Sequence, residues 1–240
     1  MAQHISRKEL KKDEVRETIA HGAEAVLSHQ TATTYILAVA IVIAALVFGW
    51  RAYAQRQTAR GAAALDDAMK VFNAPTAADL TTPPQPGEIV YGNDQAKFTA
   101  AVQKFEDVAK KYPRTRPGQL AHYYAGLSFD RLGQENQAKQ ELQAAASGGD
   151  GDYASLARFQ IAHIDDKIGQ ADEALKIYQQ LMAKPTVLVP KPVVMLALAQ
   201  HYGQKNPAEA AKLYAQIKSE YPDTTLAQQA DQELALLPSK

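Results

Sequence analysis

The chain has no cysteine among its 240 residues, which excludes disulfides, thiolate metal sites and a cysteine nucleophile without fixing the compartment. It also lacks net charge, with 26 Lys+Arg against 26 Asp+Glu. The balance is local: residues 1–50 carry 5 of each sign and residues 51–240 carry 21 of each. No basic face large enough to hold nucleic acid is therefore expected. A phosphate-binding loop is missing too. Gly148-Gly149-Asp150-Gly151 lacks both the following Lys-Ser/Thr and a preceding strand. Of the histidines, His4, His21, His29, His122, His163 and His201, no two stand three or four apart, so none forms a metal-binding pair on one helix face. Asp66-Asp67 and Asp165-Asp166 are adjacent in sequence, point to different helix faces and cannot work together as acid and base. His163-Ile164-Asp165-Asp166, the nearest approach to a ligand cluster, reads as a solvated helix end. The expectation is a protein with no catalytic residues, cofactor, metal, nucleic acid or small-molecule substrate.

The length allows one or two domains. Alanine is abundant and β-branched runs are rare after residue 50, which is helical composition. The first strong feature is residues 31–50, which contain no charge. Twenty residues at 1.5 Å rise span about 30 Å, the hydrocarbon thickness of a bilayer. Nine Ile, Leu, Val or Phe residues fall within residues 36–48 and contribute on the order of −4 kcal/mol towards insertion. Tyr35, Trp50 and Tyr53 mark the ends as an aromatic belt does. A buried core helix is disfavoured because the run is apolar on every face. Ala52-Tyr53-Ala54 has the form of a signal-peptide cleavage site, with the cut after Ala54. A 30-residue charged leader and the long apolar run favour an uncleaved anchor instead. Orientation is not decided by Lys/Arg counting: Lys11, Lys12 and Arg16 precede the run, and Arg51, Arg56, Arg60 and Lys70 follow it. The five basic residues of the full leader tip slightly towards an inside N-terminus. In the leader, Ser6-Arg7-Lys8-Glu9 fits a helix capping box, and Val15, Ile19, Ala23, Val26 and Leu27 form one helical stripe. The leader reads equally as a surface-lying or partner-binding helix and as a short solvated tail.

Residues 51–72 continue as a juxtamembrane helix with Ala62, Leu65, Met69 and Phe72 facing inward. Pro75, Pro83, Pro84 and Pro86 then forbid a continuous helix, and residues 73–93 read as a long loop, disordered rather than functional. From residue 94 helices alternate: 94–112, 118–132, 134–147, 153–168, 170–184, 192–203, 207–221 and a capping helix 224–237. Gly133 and Gly169 stand in the turns, and Tyr112-Pro113 and Tyr221-Pro222 end helices. Within this alternation a three-residue pattern recurs. Ala138-Leu142-Ala145, Ala174-Tyr178-Leu181 and Ala210-Tyr214-Ile217 lie 36 residues apart, and Ala101-Phe105-Val108 stands 37 residues upstream of the first. A fixed period of this length is the mark of stacked helix pairs, an α-solenoid that offers a long concave surface to a partner.

Gly133-Ala138-Leu142, Gly169-Ala174-Tyr178-Pro185 and Ala210-Tyr214-Pro222 resemble the tetratricopeptide repeat. In that family the alanine sits where two helices cross closely and the bulky residue fills the space beside it. The period is 36 here rather than the family's roughly 34, Leu142 replaces an aromatic, Lys205 stands where a third turn glycine would fall, and the family's tryptophan is absent. The resemblance implies an all-α fold, a single N-terminal transmembrane helix followed by a tetratricopeptide-like α-solenoid of helix pairs. It also implies a partner groove on the first helices: Tyr123 and Leu127, Phe159 and His163, Met195 and Ala199. Apolar side chains of an extended or helical peptide would suit such a floor. The Lys and Asn with which chaperone tail-binding repeats clamp a carboxylate are not there.

From residue 31 on, the layout is similar to the bacterial YfgM family: Gly49-Trp50-Arg51 with Tyr53 at the end of a membrane helix, an alanine-rich juxtamembrane helix, then repeats. The long leader and the proline-rich loop are departures. That resemblance implies an inner-membrane protein, ancillary to the SecYEG translocon and associated with periplasmic chaperones. The expected organisation is a cytoplasmic tail at 1–30, a transmembrane helix at 31–50, a juxtamembrane helix and loop at 51–93, and periplasmic repeats at 94–240. Expected partners are the translocon, a chaperone or exported clients, together with membrane lipid. The Tyr-Pro-ended helices are also similar to periplasmic tetratricopeptide proteins of envelope assembly and division, which leaves a structural, oligomerising role as the alternative.

Overall fold

The computed structural model describes residues 30–148, 151–203 and 205–238, with side chains from residue 34 on. The leader's capping box and apolar stripe lie outside the described residues. Among those described there are nine helices and no strand, only an isolated parallel bridge between Thr76 and Tyr91. The helices are α1 (Gln30–Phe72), α2 (Asp94–Lys111), α3 (Arg116–Arg131), α4 (Glu135–Ala146), α5 (Asp152–Lys167), α6 (Ala171–Ala183), α7 (Lys191–Tyr202), α8 (Pro207–Glu220) and α9 (Thr225–Leu236). Packing divides the chain into two units, Met1–Arg56 and Gln57–Lys240.

In the first unit, every large apolar side chain of α1 from Tyr35 to Tyr53 is exposed. Over Thr34–Phe72 this helix is long and apolar enough to cross a membrane.

In the second unit, consecutive helices from α2 to α9 pack on one another, and α3 also meets α5 as α7 meets α9. That is the stacking of a solenoid of helix pairs, α3/α4, α5/α6 and α7/α8, with α9 closing the far end. The repeated residues form its spine. Ala101, Ala138, Ala174 and Ala210 are fully enclosed, as are Phe105, Leu142, Tyr178 and Tyr214, and Val108, Ala145, Leu181 and Ile217 are buried beside them. Gly133 and Gly169 adopt φ of +69° and +81°, a left-handed turn that other residues enter only with strain. At the third turn Lys205 does not take this role. Gly203, two residues earlier, caps α7 with φ +28°.

Tyr112-Pro113-Arg114-Thr115 and Tyr221-Pro222-Asp223-Thr224 build the same device. The threonine hydroxyl donates to the tyrosine carbonyl at 2.8 Å in both, and accepts from the backbone N–H of Gly118 or Ala227 at 3.2 Å. Each helix thus ends before proline while the next is capped at once, so α9 begins as α3 does.

The C-terminal part of α1 differs from expectation at one position. Leu65, Met69 and Phe72 pack against the core as expected, but Ala62 is exposed, and Gly61, Ala68 and Val71 are buried instead. The inward stripe starts at Gly61 because Tyr112 and Pro117 approach so closely that a Cβ there would lie 3.2 Å from the Tyr112 ring. The Phe72 ring then meets Phe98, Phe105 and Tyr124 edge-on at 5.5–5.9 Å between centroids.

The proline-rich loop is ordered at its neck rather than free. Thr76 is buried, and its N–H and hydroxyl both donate to Asp79 Oδ2, at 2.8 and 2.7 Å. Ala77 N–H donates to Tyr91 O and Tyr91 N–H to Pro75 O, tying the two ends together. The proline content forbids a helix here, but it does not prevent local hydrogen bonds from closing the loop.

Candidate partner-binding face

The six residues expected to line a groove divide into three groups. Tyr123 on α3 is buried against Ala157, Ile161 and Ile164 of α5, so it packs the next repeat. Burial pushes its hydroxyl up to about 12, against a hydrogen bond with Gln160 that acts the other way. Phe159 on α5 is likewise buried, against Tyr178, Leu181, Val194 and Leu198. Met195 and Ala199 on α7 have no accessible surface. They pack with Ala210, Tyr214, Ile217 and Ala230, which means that α8 and α9 cover them. The expectation that Met195 and Ala199 floor a groove is therefore corrected: the terminal helix closes that part of the face. Leu127 is half-buried against the core and His163 is exposed.

His163 borders a cleft of about 340 Å³ with Asp166, Tyr178, Gln200, His201 and Lys205. Asp166, at the end of α5, ties two other helices to its own. Its Oδ2 accepts from the Tyr178 hydroxyl at 3.1 Å, and its Oδ1 lies 2.6 Å from His201 Nδ1. A carboxylate has no proton to give, so that ring nitrogen carries the hydrogen. Phe159, His163, Tyr178, His201 and Tyr202 continue as an edge-to-face series from α5 to α7, with neighbouring centroids 4.7–6.1 Å apart. Desolvation beside Phe159 and Tyr178 holds the His163 pKa below its ordinary value, against the opposing pull of Asp166 and Asp130. Burial, then the adjacent Asp166 charge, drive the Tyr178 hydroxyl far above the ordinary tyrosine value. The phenol stays a neutral donor.

The His-Ile-Asp-Asp cluster is thus not a solvated helix end. Asp165 is buried and receives Lys139 Nζ of α4 at 2.5 Å, and the same ammonium donates to Gln170 Oε1 at 2.8 Å. Lys167 reaches back to Asp130 and Glu135 at 2.9 and 3.2 Å. These groups tie one repeat to the next. Among the described residues no group of three or more His, Cys, Asp or Glu is arranged to hold a metal ion. Lys139 and His201 were invisible as partners in the sequence because they lie 26 and 35 positions from the carboxylates they meet, and Gln170 lies 31 positions from the Lys139 ammonium it accepts from. The 36-residue period was the one available signal, since it brings neighbouring repeats into register.

Stacked helix pairs with an alanine spine and turn glycines define a helical-repeat protein of the tetratricopeptide kind. The model of the tetratricopeptide repeat-like domain matches residues 29–186, about two thirds of the chain, and a tetratricopeptide repeat model matches residues 194–224. The chain belongs to the tetratricopeptide repeat-like domain family. Among solved structures it is similar to two crystal structures, one of them of a point variant, of the nearly identical TPR-like repeats of a Podosopora anserina protein designated a kinesin light chain. Identities are 17% and 18% and TM-scores 0.48 and 0.47, over 58% of this chain and 76% of each of those. A comparison with curated proteins gives no match.

Proposed function

We propose that this protein is a membrane-anchored scaffold that binds other proteins through its repeats, in the manner of YfgM-like ancillary subunits of the SecYEG translocon. One observation carries the reading: α1 has an exposed apolar stretch and, further along the same helix, side chains buried in the core of the repeats. In this reading residues 1–30 are cytoplasmic, 31–50 cross the inner membrane uncleaved, 51–93 link, and 94–240 lie in the periplasm. Chaperones, exported clients or the translocon itself occupy the face around Leu127 and His163, with Tyr123 and Phe159 beneath. Tetratricopeptide repeats generally act as non-catalytic scaffolds, and the role assigned here is binding without turnover.

A reporter active only outside the cytoplasm, fused after Lys240, is expected to be active. A silent reporter overturns the periplasmic placement. Photocrosslinkers at Leu127 and His163 are expected to capture translocon or exported proteins in cells, whereas one at Lys176, exposed on α6, captures none. Equal capture from all three sites removes the face from consideration.

A second reading, a structural protein of envelope assembly or division that self-associates, is favoured by the far end of the solenoid. Pro207, Ala208, Ala211, Leu234, Leu237 and Pro238 line an apolar depression between α8 and α9, and Leu236 is 79% exposed. Crosslinks only between copies of this chain, from Leu236, would favour it.

A further inference from the structure

We infer that Arg51 and Arg56 form a docking site for the headgroups of anionic phospholipids. The inference rests on α1 spanning a bilayer and goes beyond that reading by naming which lipid the span selects.

The exposed apolar stretch of α1 closes with Trp50, and Arg51 and Arg56 follow on the same helix, both exposed. Among the described residues neither takes part in an ion pair. Their own sequence offers no counter-charge, because residues 25–65 contain no Asp or Glu. Lys70, further along the same helix, shows the contrast. It is held by Asp66 and Asp67 at 3.0 and 2.8 Å and is already neutralised.

Depth fits the headgroup layer. The bilayer is about 30 Å thick in its hydrocarbon and about 40–45 Å with headgroups, which leaves roughly 5–8 Å on each side. At 1.5 Å per residue, Arg51 starts about 1.5 Å beyond Trp50 and Arg56 about 9 Å beyond. A long arginine side chain bends back along the helix to place its charge at the interface, so both guanidinium groups reach the phosphates. Arg60 starts about 15 Å out and falls short. Arg51 and Arg56 also point about 140° apart around the helix, so each meets its own lipid. The guanidinium fork matches two phosphate oxygens at once, which an ammonium cannot do.

The test uses the full chain reconstituted in phosphatidylcholine vesicles carrying a small fraction of spin-labelled lipid, either phosphatidylglycerol or phosphatidylcholine. The fraction of motionally restricted label reports which lipid the helix retains. Phosphatidylglycerol is expected to be enriched over phosphatidylcholine. Each of Arg51→Gln and Arg56→Gln should lower the enrichment about fivefold, and rising salt should lower it too. Arg60→Gln should change it far less. Equal retention of the two lipids, or enrichment unchanged in the Arg51→Gln/Arg56→Gln double variant, overturns the inference while leaving the span intact. A chain that fails to float with vesicles of either composition overturns the span, and the inference with it. Inorganic phosphate that abolishes enrichment more than sodium chloride of equal ionic strength would assign the site to free phosphate and also overturns it. If the double variant does not reconstitute, the two single variants decide the matter.

Discussion

Lys139 of α4 crosses into the next repeat and places its ammonium 2.5 Å from the buried carboxylate of Asp165 on α5. The pair joins two repeats at a point where the carboxylate has almost no access to water. Lys139→Met is expected to leave Asp165 buried without a cation. The cost should fall toward the low end of about 3–5 kcal/mol, since Lys139 itself keeps some contact with solvent. Adding Asp165→Leu should recover most of that loss, because removing both charges removes the desolvation penalty. Urea unfolding of the single and double variants measures it. A double variant as unstable as Lys139→Met alone would show that the loss has another source.

Ala138, Ala174 and Ala210 are fully enclosed where helices cross. Ala174→Leu is expected to destabilise by roughly 1–3 kcal/mol, because added methylenes must push two helices apart. The same change at Ala62, exposed on α1, should have little effect. Comparison of the two unfolding midpoints is the check.

The two Tyr-Pro-x-Thr turns predict matched behaviour at distant sites. Thr115→Ala and Thr224→Ala each remove the hydroxyl that caps the following helix, at a cost of about 1 kcal/mol. Serine at either position keeps the oxygen and should restore most of the loss. A threonine-to-alanine change that costs nothing at Thr115 would mean that the Arg116 end of α3 is held by packing alone.

Acid and alkali should each weaken the fold through identifiable groups. His163 has a pKa below 6.5 in the folded chain, so the unfolded chain binds its proton more readily. Stability from this group is complete above pH of about 6.5 and falls as the pH drops below it. His163→Gln is expected to flatten the stability profile between pH 7.5 and 5.5, an interval of about two units. The buried hydroxyls of Tyr123, Tyr178 and Tyr214 are shifted the other way by burial, Tyr123 and Tyr214 to about 12. The contribution of Tyr123 and Tyr214 is complete below pH of about 10 and is lost as pH rises through about 12, and that of Tyr178 is lost over a range that extends higher. Phenolate absorbance should rise in two stages, with these three tyrosines ionising only as the chain unfolds.

Much of the architecture was legible in the sequence because it is periodic. A residue enclosed at Ala138 has counterparts enclosed at Ala174 and Ala210, and each helix boundary was set by local chemistry: a proline after Tyr112, a glycine at 133, an asparagine before Pro207. The candidate face was less legible. Met195 occupies a first-helix position like Tyr123 and Phe159, yet α8 and α9 enclose it completely. Its surroundings depend on which helix comes last in the stack, and a repeat pattern read one unit at a time does not contain that. Ala62 was misplaced for a similar reason, since the phase of the α1 stripe follows from the close approach of Tyr112 and Pro117 at Gly61.

The sequence by itself determined where helices begin and end, that one of them is long and apolar enough for a membrane, and which alanines form the spine. Those properties depend on neighbours within a turn or two, or on a repeat of 36 residues, and both are written along the chain. Only the tertiary structure decided what happens to the charges. It buried Asp165 under Lys139 and gave Asp166 to Tyr178 and His201. It also closed the neck of the proline-rich loop through Thr76, Asp79 and Tyr91. A polar side chain removed from water must find a partner, and in a stack of helices that partner comes from another turn of the solenoid.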